Sequence, residues 1–346
     1  MVYDVVIIGA GQAGLSIGYF LQKSNLSFII LDKSTEAGEV WRERYDSLTL
    51  FTPHFYSSLP GLKLNDNKNT YPTKDEISLY LKQYKEKFNL PVQLNTFVQQ
   101  LLKGKNCFEI STNQGDYTAK NVIVATGPFQ TALIPEISKT ISDHIFQLHS
   151  SEYKNPMQLK KGPVLVVGGG NSGAQIAAEL SNERDVYLSI GHKLKFLPLN
   201  IGEKSIFWYF DKMGIYRANT DSIIGKFIKK QNDPIFGIEL KNLIRNNLVK
   251  LKPRAISVDD DSIIFLDKSE LKVSNIIWAT GFKPNYEWIN LSLDFAENGL
   301  PIHKRGITSV EGLYFLGLPW QSSRGSALIQ GAGRDAEYLY HCILSS

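Results

Sequence analysis

Tyr3-Asp4-Val5-Val6-Ile7-Ile8-Gly9-Ala10-Gly11-Gln12-Ala13-Gly14 opens the chain, and its reading decides the fold. The stretch to Ile8 is short, apolar and β-branched, as a strand buried in a parallel sheet should be. Leu15 to Leu21 continues without proline as a helix, and Phe28-Ile29-Ile30-Leu31 reads as the next parallel strand, ending at Asp32. This is a βαβ unit. Gly9 permits the tight turn, Gly11 lets a pyrophosphate approach the backbone, and Gly14 lets helix and strand pack closely. The helix N-terminus offers free N–H groups and a positive dipole end, which brings Gln12 and Ala13 to the phosphates. Asp32 stands about twenty residues beyond Gly11, where a carboxylate accepts hydrogen bonds from a ribose hydroxyl, with Lys33 beside it. A glycine turn that binds nothing would need neither the helix nor the acid at this spacing.

The pattern occurs twice. Val164-Leu165-Val166-Val167 leads into Gly168-Gly169-Gly170-Asn171-Ser172-Gly173, then a helix through Leu180 and the strand Val186-Tyr187-Leu188-Ser189-Ile190. Each loop is followed, at nearly the same distance, by an Ala-Thr-Gly strand end: Ala125-Thr126-Gly127 and Ala279-Thr280-Gly281. One dinucleotide site suggests a dehydrogenase; two suggest that electrons pass between dinucleotides. The second unit ends in Ser189, Gly191, His192 and Lys193 instead of an acid. A 2′-phosphate is then not repelled, yet no arginine is present to clamp one. NADPH and NADH both remain open. A near-neutral His192 serves either, and His192 and Lys193 read equally well as a solvated loop.

A chain of 346 residues exceeds what one core holds, so two domains are expected. A formal net charge of +4 with scattered basic residues does not indicate a nucleic-acid partner, and none is expected. Lys226, Lys229 and Lys230 fit a solvated helical face. Cys107 and Cys342 are far apart, with no CxxC, so neither a zinc ribbon nor a redox dithiol is encoded and no metal site is expected. No apolar run approaches the roughly 18 residues a membrane helix requires. Low cysteine use points to a cytoplasmic protein.

The fold class expected is α/β, with two Rossmann-like (three-layer) dinucleotide-binding domains, one inserted in the other. Residues 1–155 and 282–346 form the first and 156–281 the second, with a helical insertion at about 203–248. Residues 92–98 and 107–111 read as β-rich. Ile206-Phe207-Trp208-Tyr209-Phe210 opens the insertion. It reads as a helical hairpin burying its own apolar face, as a lid over the interface, or as a membrane-surface patch with the three lysines. His149 reads as a structural residue at the crossing between domains.

Further segments carry a family likeness: Gly38-Glu39-Val40-Trp41-Arg42, Tyr45-Asp46-Ser47-Leu48-Thr49-Leu50-Phe51-Thr52-Pro53, Tyr71-Pro72-Thr73, Leu148-His149-Ser150-Ser151-Glu152-Tyr153, Trp278-Ala279-Thr280-Gly281-Phe282 and Gly331-Ala332-Gly333-Arg334-Asp335-Ala336. With both loops, these make the chain resemble the flavin-containing monooxygenases, in their small bacterial branch of CzcO-like FAD-dependent oxidoreductases, over essentially its whole length.

The resemblance implies FAD in the first site and NADPH or NADH in the second. Hydride would pass to the flavin, and oxygen would add to give a C4a-peroxyflavin that oxygenates a thioether or a ketone. Gly9, Gly11, Gly14 and Asp32 would hold the FAD pyrophosphate and ribose, with Trp41 and Arg42 against the cofactor. Val98, Ala125, Thr126 and Gly127 would complete the FAD site. Residues 326–333, including Gln330, would bring backbone to the isoalloxazine because glycine permits close approach. Gly168, Gly170, Asn171, Ser172, Gly173, His192, Lys193, Ala279, Thr280 and Gly281 would bind the nicotinamide nucleotide. The partners implied are a small-molecule substrate and O2, with no nucleic acid and no membrane span, and a homodimer left open.

Three departures accompany the likeness. Asp143 and Ile145 stand at the Phe and Gly positions of FxGxxxHxxxY, and Glu39 replaces the second glycine of GGxW. Leu50-Phe51 fills a Thr-Asn pair that larger members place beside the flavin, and a phenyl ring cannot offer an amide's hydrogen bonds. Thr52 is the nearest hydroxyl and the candidate catalytic residue. Phe51 keeps a second reading in view: a reductase or oxidase with the same cofactors and another acceptor, such as a quinone, a metal ion or a low-molecular-weight disulfide. A flavoprotein accessory to ion transport is the third.

Overall fold

The computed structural model describes residues 1–65 and 69–345. Two sheets carry the two glycine loops. The first runs Val92–Gln93, Phe28–Leu31, Val2–Ile8, Gly115–Val124, Phe108–Thr112, Val98–Lys103, and Leu313–Phe315 also pairs with Gly115–Val124. Val5 to Ile8 are buried, as central parallel pairing on both flanks requires. The second sheet runs Val249–Lys252, Val186–Ser189, Val164–Val167, Asn275–Trp278, Phe146–His149, parallel throughout.

In both sheets a central strand ends at a glycine loop and passes into a helix, Gln12–Leu21 in the first and Asn171–Leu180 in the second. The C-terminal helix Ile329–Ser345 covers the first of these. Its Ala332, Ala336, Leu339 and Ile343 recur at helical spacing and share a core with Leu15, Ile17 and Leu21.

The strand Phe146–His149 joins the second sheet, with His149 opposite Trp278, although it precedes the break expected at 155/156. Asn155-Pro156 marks only a capped 3-10 turn, Pro156–Gln158. After the second sheet the chain returns to the first at Leu313–Phe315. The outgoing and returning segments touch: Thr131–Ala132 pairs antiparallel with Phe282–Lys283, so the two crossings form one ribbon.

The stretch after the second unit's glycine loop holds the helices Ile206–Lys212, Ile223–Lys229 and Glu239–Arg245. It does not simply bury its own apolar face. Phe207 and Tyr216 form a cluster with Phe51, Phe55 and Tyr56 from the first half of the chain, and with Phe236 and Leu328. Phe51 stacks on Phe236 at 4.6 Å and 15°, a geometry worth about 1 kcal/mol beyond area burial. Leu240 of the third helix sits in the core of the second sheet. Cys107 and Cys342 are free, and no helix among the described residues is long and apolar enough to cross a membrane.

Candidate dinucleotide sites

Each glycine loop is locked to its own Ala-Thr-Gly turn. Gly9 has φ +110°, and a Cβ there would lie 2.7 Å from the Ala125 carbonyl oxygen. A methyl on Gly14 would collide with the Gly9 carbonyl oxygen. The second unit repeats this: Gly168 abuts Ala279, and Gly173 abuts the Gly168 carbonyl. The other glycines do the opposite. Gly11 and Gly127, and in the second unit Gly170 and Gly281, would find nothing within 4 Å of a Cβ. The packed glycines hold the turns, and the open ones face space a ligand can approach.

Both helices begin without a side-chain cap, at Gly11 and Gly170, and neither carries an acid in its first turn. First-turn amides without an internal partner seek an acceptor, and phosphate oxygens supply one. The residues therefore fit a dinucleotide at each loop.

Around the first loop, Asp32 holds the turn. Its Oδ2 accepts from Ala10 N at 2.5 Å and its Oδ1 from Ser34 N at 2.8 Å. A carboxylate offers about four acceptor positions, so capacity remains for a ribose hydroxyl. Lys33 is exposed. Trp41 lies over the helix start, its Nε1 donating to Gln12 Oε1 at 3.4 Å. Val98 is buried with Val6, Ile8 and Leu31. Gln130 braces the Ala125-Thr126-Gly127 turn, donating to Thr126 Oγ1 at 3.0 Å and to the Gly127 carbonyl at 2.7 Å.

Several expectations change here. Arg42 points away into an acidic group, paired with Glu36 and Glu39. Arg44 instead sits between the segments that follow the two Ala-Thr-Gly turns, 5.3 Å from the Phe282 ring and 5.9 Å from that of Phe129. Burial pulls its pKa down, and no carboxylate of the described residues pairs with it. A cation so placed, beside two aromatic rings, can meet an anionic or polar ligand. Thr52 is 3% exposed and its hydroxyl is bonded to Ser57 Oγ at 2.9 Å, so in this structure it serves the turn after Phe51 and faces no open space. Gly331 and Gly333 make close approaches to Gly325 and Pro60, so their lack of a side chain serves helix packing rather than an isoalloxazine. Gln330 is half-buried in the first turn of that helix.

At the second loop, Asn171 acts as a strut. Its Oδ1 accepts from Phe236 N at 2.9 Å and its Nδ2 donates to the Pro234 carbonyl at 3.2 Å, tying the insertion to the loop. Tyr45 donates to Gln175 Oε1 at 2.9 Å, and Gln175 Nε2 returns a bond to the Thr49 carbonyl at 2.9 Å. Burial pushes the Tyr45 phenol up to about 12, so it stays a donor. Thr280 Oγ1 donates to the Leu133 carbonyl at the crossing ribbon.

The strand end of the second unit opens into a groove of about 590 Å³, where His192, Lys252 and Arg254 stand among apolar Leu251, Ile256 and Leu266. Lys193 is not part of the lining. Arg254 brings a guanidinium to this groove: its Nη2 lies 3.0 Å from where a Cβ on Gly191 would be. Parallel register explains its arrival. Ser189 is opposite Lys252, so the residues just beyond both strands emerge side by side. Reading Val249-Lys250-Leu251-Lys252 as the neighbouring strand is the signal that finds it.

His149 is fully buried; its Nδ1 accepts from Ser151 N at 3.1 Å, and its Nε2 lies 3.0 Å from the Gly281 carbonyl, which requires the proton on Nε2. Burial lowers its pKa from 6.5. The unfolded imidazole therefore takes up a proton more readily than the folded one. Its contribution to stability is complete above pH 6.5 and is lost as pH falls below that value. Melting temperature should fall more steeply below pH 6.5 for the natural chain than for His149→Asn, and parallel curves would refute this. His303 is also depressed by burial, but it is common to both proteins and cancels in the difference.

A family model described as pyridine nucleotide-disulphide oxidoreductase matches residues 6–195. An uncharacterized CzcO-like oxidoreductase of Geobacillus kaustophilus is 56% identical, with 99% of each chain covered. The uncharacterized oxidoreductase CzcO of Bacillus subtilis is 58% identical, with 97% of this chain and 98% of that one covered. Among solved structures, a flavin-containing monooxygenase from Stenotrophomonas maltophilia superposes with a TM-score of 0.84 at 28% identity, over 100% of this chain and 99% of its own.

Proposed function

The chain belongs to the pyridine nucleotide-disulphide oxidoreductase family, among its CzcO-like oxidoreductases, and from that membership we propose an FAD-dependent NADPH oxidoreductase that works as a flavin-containing monooxygenase. The observation that carries this reading is the pair of uncapped helix starts, each beneath two open glycines and joined by one crossing ribbon. The likeness to the Stenotrophomonas enzyme supports oxygenation as the outcome. In this reading the first sheet is the FAD unit and the second, from Phe146–His149 to Asn275–Trp278, the nicotinamide unit.

FAD, when bound, supplies the redox chemistry, taking hydride from the nicotinamide and reducing O2. The chain's own residues position and shield it. The amides of Gln12 and Ala13 would hold the FAD pyrophosphate, Asp32 the ribose, and Trp41 one flank of the site. The amides of Asn171 and Ser172 would hold the second pyrophosphate. Arg254 and His192 would take the 2′-phosphate, which favours NADPH over NADH. Arg44 would neutralise negative charge where the two nucleotides meet. The Phe51, Phe207 and Phe236 stack would exclude water from one wall. A small thioether or ketone is the substrate class, and the cytoplasm, where NADPH is regenerated, the setting.

Phe51 also favours a second reading, since a stacked ring gives the reaction no hydrogen-bond donor at that wall. A reductase passing electrons to a quinone or another acceptor would need none. Product stoichiometry separates the two. The monooxygenase predicts sulfoxide or ester formed in step with NADPH consumed. Peroxide accounting for all the NADPH, together with quinone turnover under argon, would replace it with the reductase. Arg44→Ala should slow anaerobic flavin reduction about ten-fold or more with flavin content unchanged, the size expected for losing one charged contact. An unchanged reduction rate would remove Arg44 from the site.

A further inference from the structure

The helix Ile223–Lys229 is inverted. A surface helix ordinarily turns its apolar stripe inward; here the inward position is glycine. Gly225 is buried, and a methyl there would strike the Asn219 carbonyl. Ile223, Ile224 and Phe227 share the outward side and are 90%, 54% and 66% exposed. Lys226, Lys229 and Lys230 border them, all exposed, and none forms an ion pair with another described residue.

The charge around this face is one-sided. Across residues 219–232 the lysines face a single acid, Asp221. The flanking acids are neutralised elsewhere, Asp211 by Arg217 at 3.2 Å and Asp233 by Arg324 at 2.8 Å. Both ends of the segment are anchored on the loop before the C-terminal helix. Thr220 N donates to the Ser322 carbonyl at 3.0 Å, Asn219 bridges Ser323, and Arg324 holds Asp233. The apolar face is thus presented outward by design of its anchors.

We propose that this helix seats the protein peripherally on an anionic lipid surface. Ile223, Ile224 and Phe227 enter the boundary between headgroups and acyl chains, and the lysines meet the headgroup phosphates. The chemistry selects lipid over protein. A second copy placed across a two-fold axis would bring the same lysines against one another. A convex face of two helical turns is far short of the roughly 800 Å² per partner that a stable protein interface buries. An anionic, deformable surface satisfies both the charge and the small apolar edge.

The test is sedimentation of the full chain with vesicles of phosphatidylglycerol mixed with phosphatidylcholine, against phosphatidylcholine alone. Binding is expected to the anionic vesicles and to be lost at about 0.5 M salt, where exposed charges are screened. Each lysine is worth roughly five-fold in partitioning, so Lys226→Glu, Lys229→Glu and Lys230→Glu together should cost at least about a hundred-fold. Ile223→Ser with Phe227→Ser should abolish binding. All five positions are exposed, and an unchanged melting temperature would confirm that the variants fold. No binding to either vesicle, equal binding to both, or binding that survives the serine pair would each overturn the proposal. So would a dimer in vesicle-free solution that the serine pair disperses, since the face would then be an interface between copies.

Discussion

Gly14→Ala is expected to purify without its yellow colour. The added methyl collides with the Gly9 carbonyl oxygen, and Gly9 cannot retreat, because it is itself pressed against Ala125 at a φ of +110°. Relief requires shifting the helix Gln12–Leu21 off its strand, which moves the uncapped first-turn amides proposed to hold the FAD pyrophosphate. Overpacking of this kind costs about 1–3 kcal/mol, and the loss of bound cofactor adds to it through linkage. Flavin absorbance per protein and melting temperature read the two effects. The matching substitution Gly173→Ala would strike the Gly168 carbonyl and press to 3.2 Å on the Ala279 side chain. It should leave the protein yellow and remove reduction by NADPH. Equimolar flavin in Gly14→Ala, or colour loss in Gly173→Ala instead, would reverse or void the assignment of the two sites.

Arg254→Ala should lower kcat/KM for NADPH by about ten- to a hundred-fold and leave NADH within about two-fold. A charge-assisted contact is worth about 1.5–3 kcal/mol, and only NADPH carries the phosphate that makes it. The groove places Arg254 with His192 and Lys252, so some affinity survives the single substitution. Steady-state rates with both donors decide it. An equal fall for NADPH and NADH would show that Arg254 contacts the shared adenosine, and the preference for NADPH would then need another source.

What could be read from the chain was what short-range chemistry dictates. The glycine loops, their flanking strands and the Ala-Thr-Gly ends are written in consecutive residues, and turn sterics leave them one conformation. The residues that escaped are those whose roles depend on neighbours remote in sequence. Arg254 reaches the groove only because Val249–Lys252 pairs in register with Val186–Ser189. Arg44 differs from Arg42 only in which side of a short turn it occupies, and the acids that capture Arg42 decide that. Phe146–His149 joins the second sheet by pairing with Asn275–Trp278, residues far downstream. Thr52 was named for its hydroxyl, and its bond to Ser57 withdraws it. Phe51 was legible as a missing amide, but its stacking on Phe236 depends on Asn171 holding the 234–236 backbone in place.

Two crossings bonded edge to edge, Thr131–Ala132 with Phe282–Lys283, are coupled to one another. Displacing either one must break the pairing or carry its neighbour along. The halves of the molecule that they join are also tied by Tyr45 to Gln175 and by Arg324 to Asp233, so any shift at the ribbon is felt at those bonds as well.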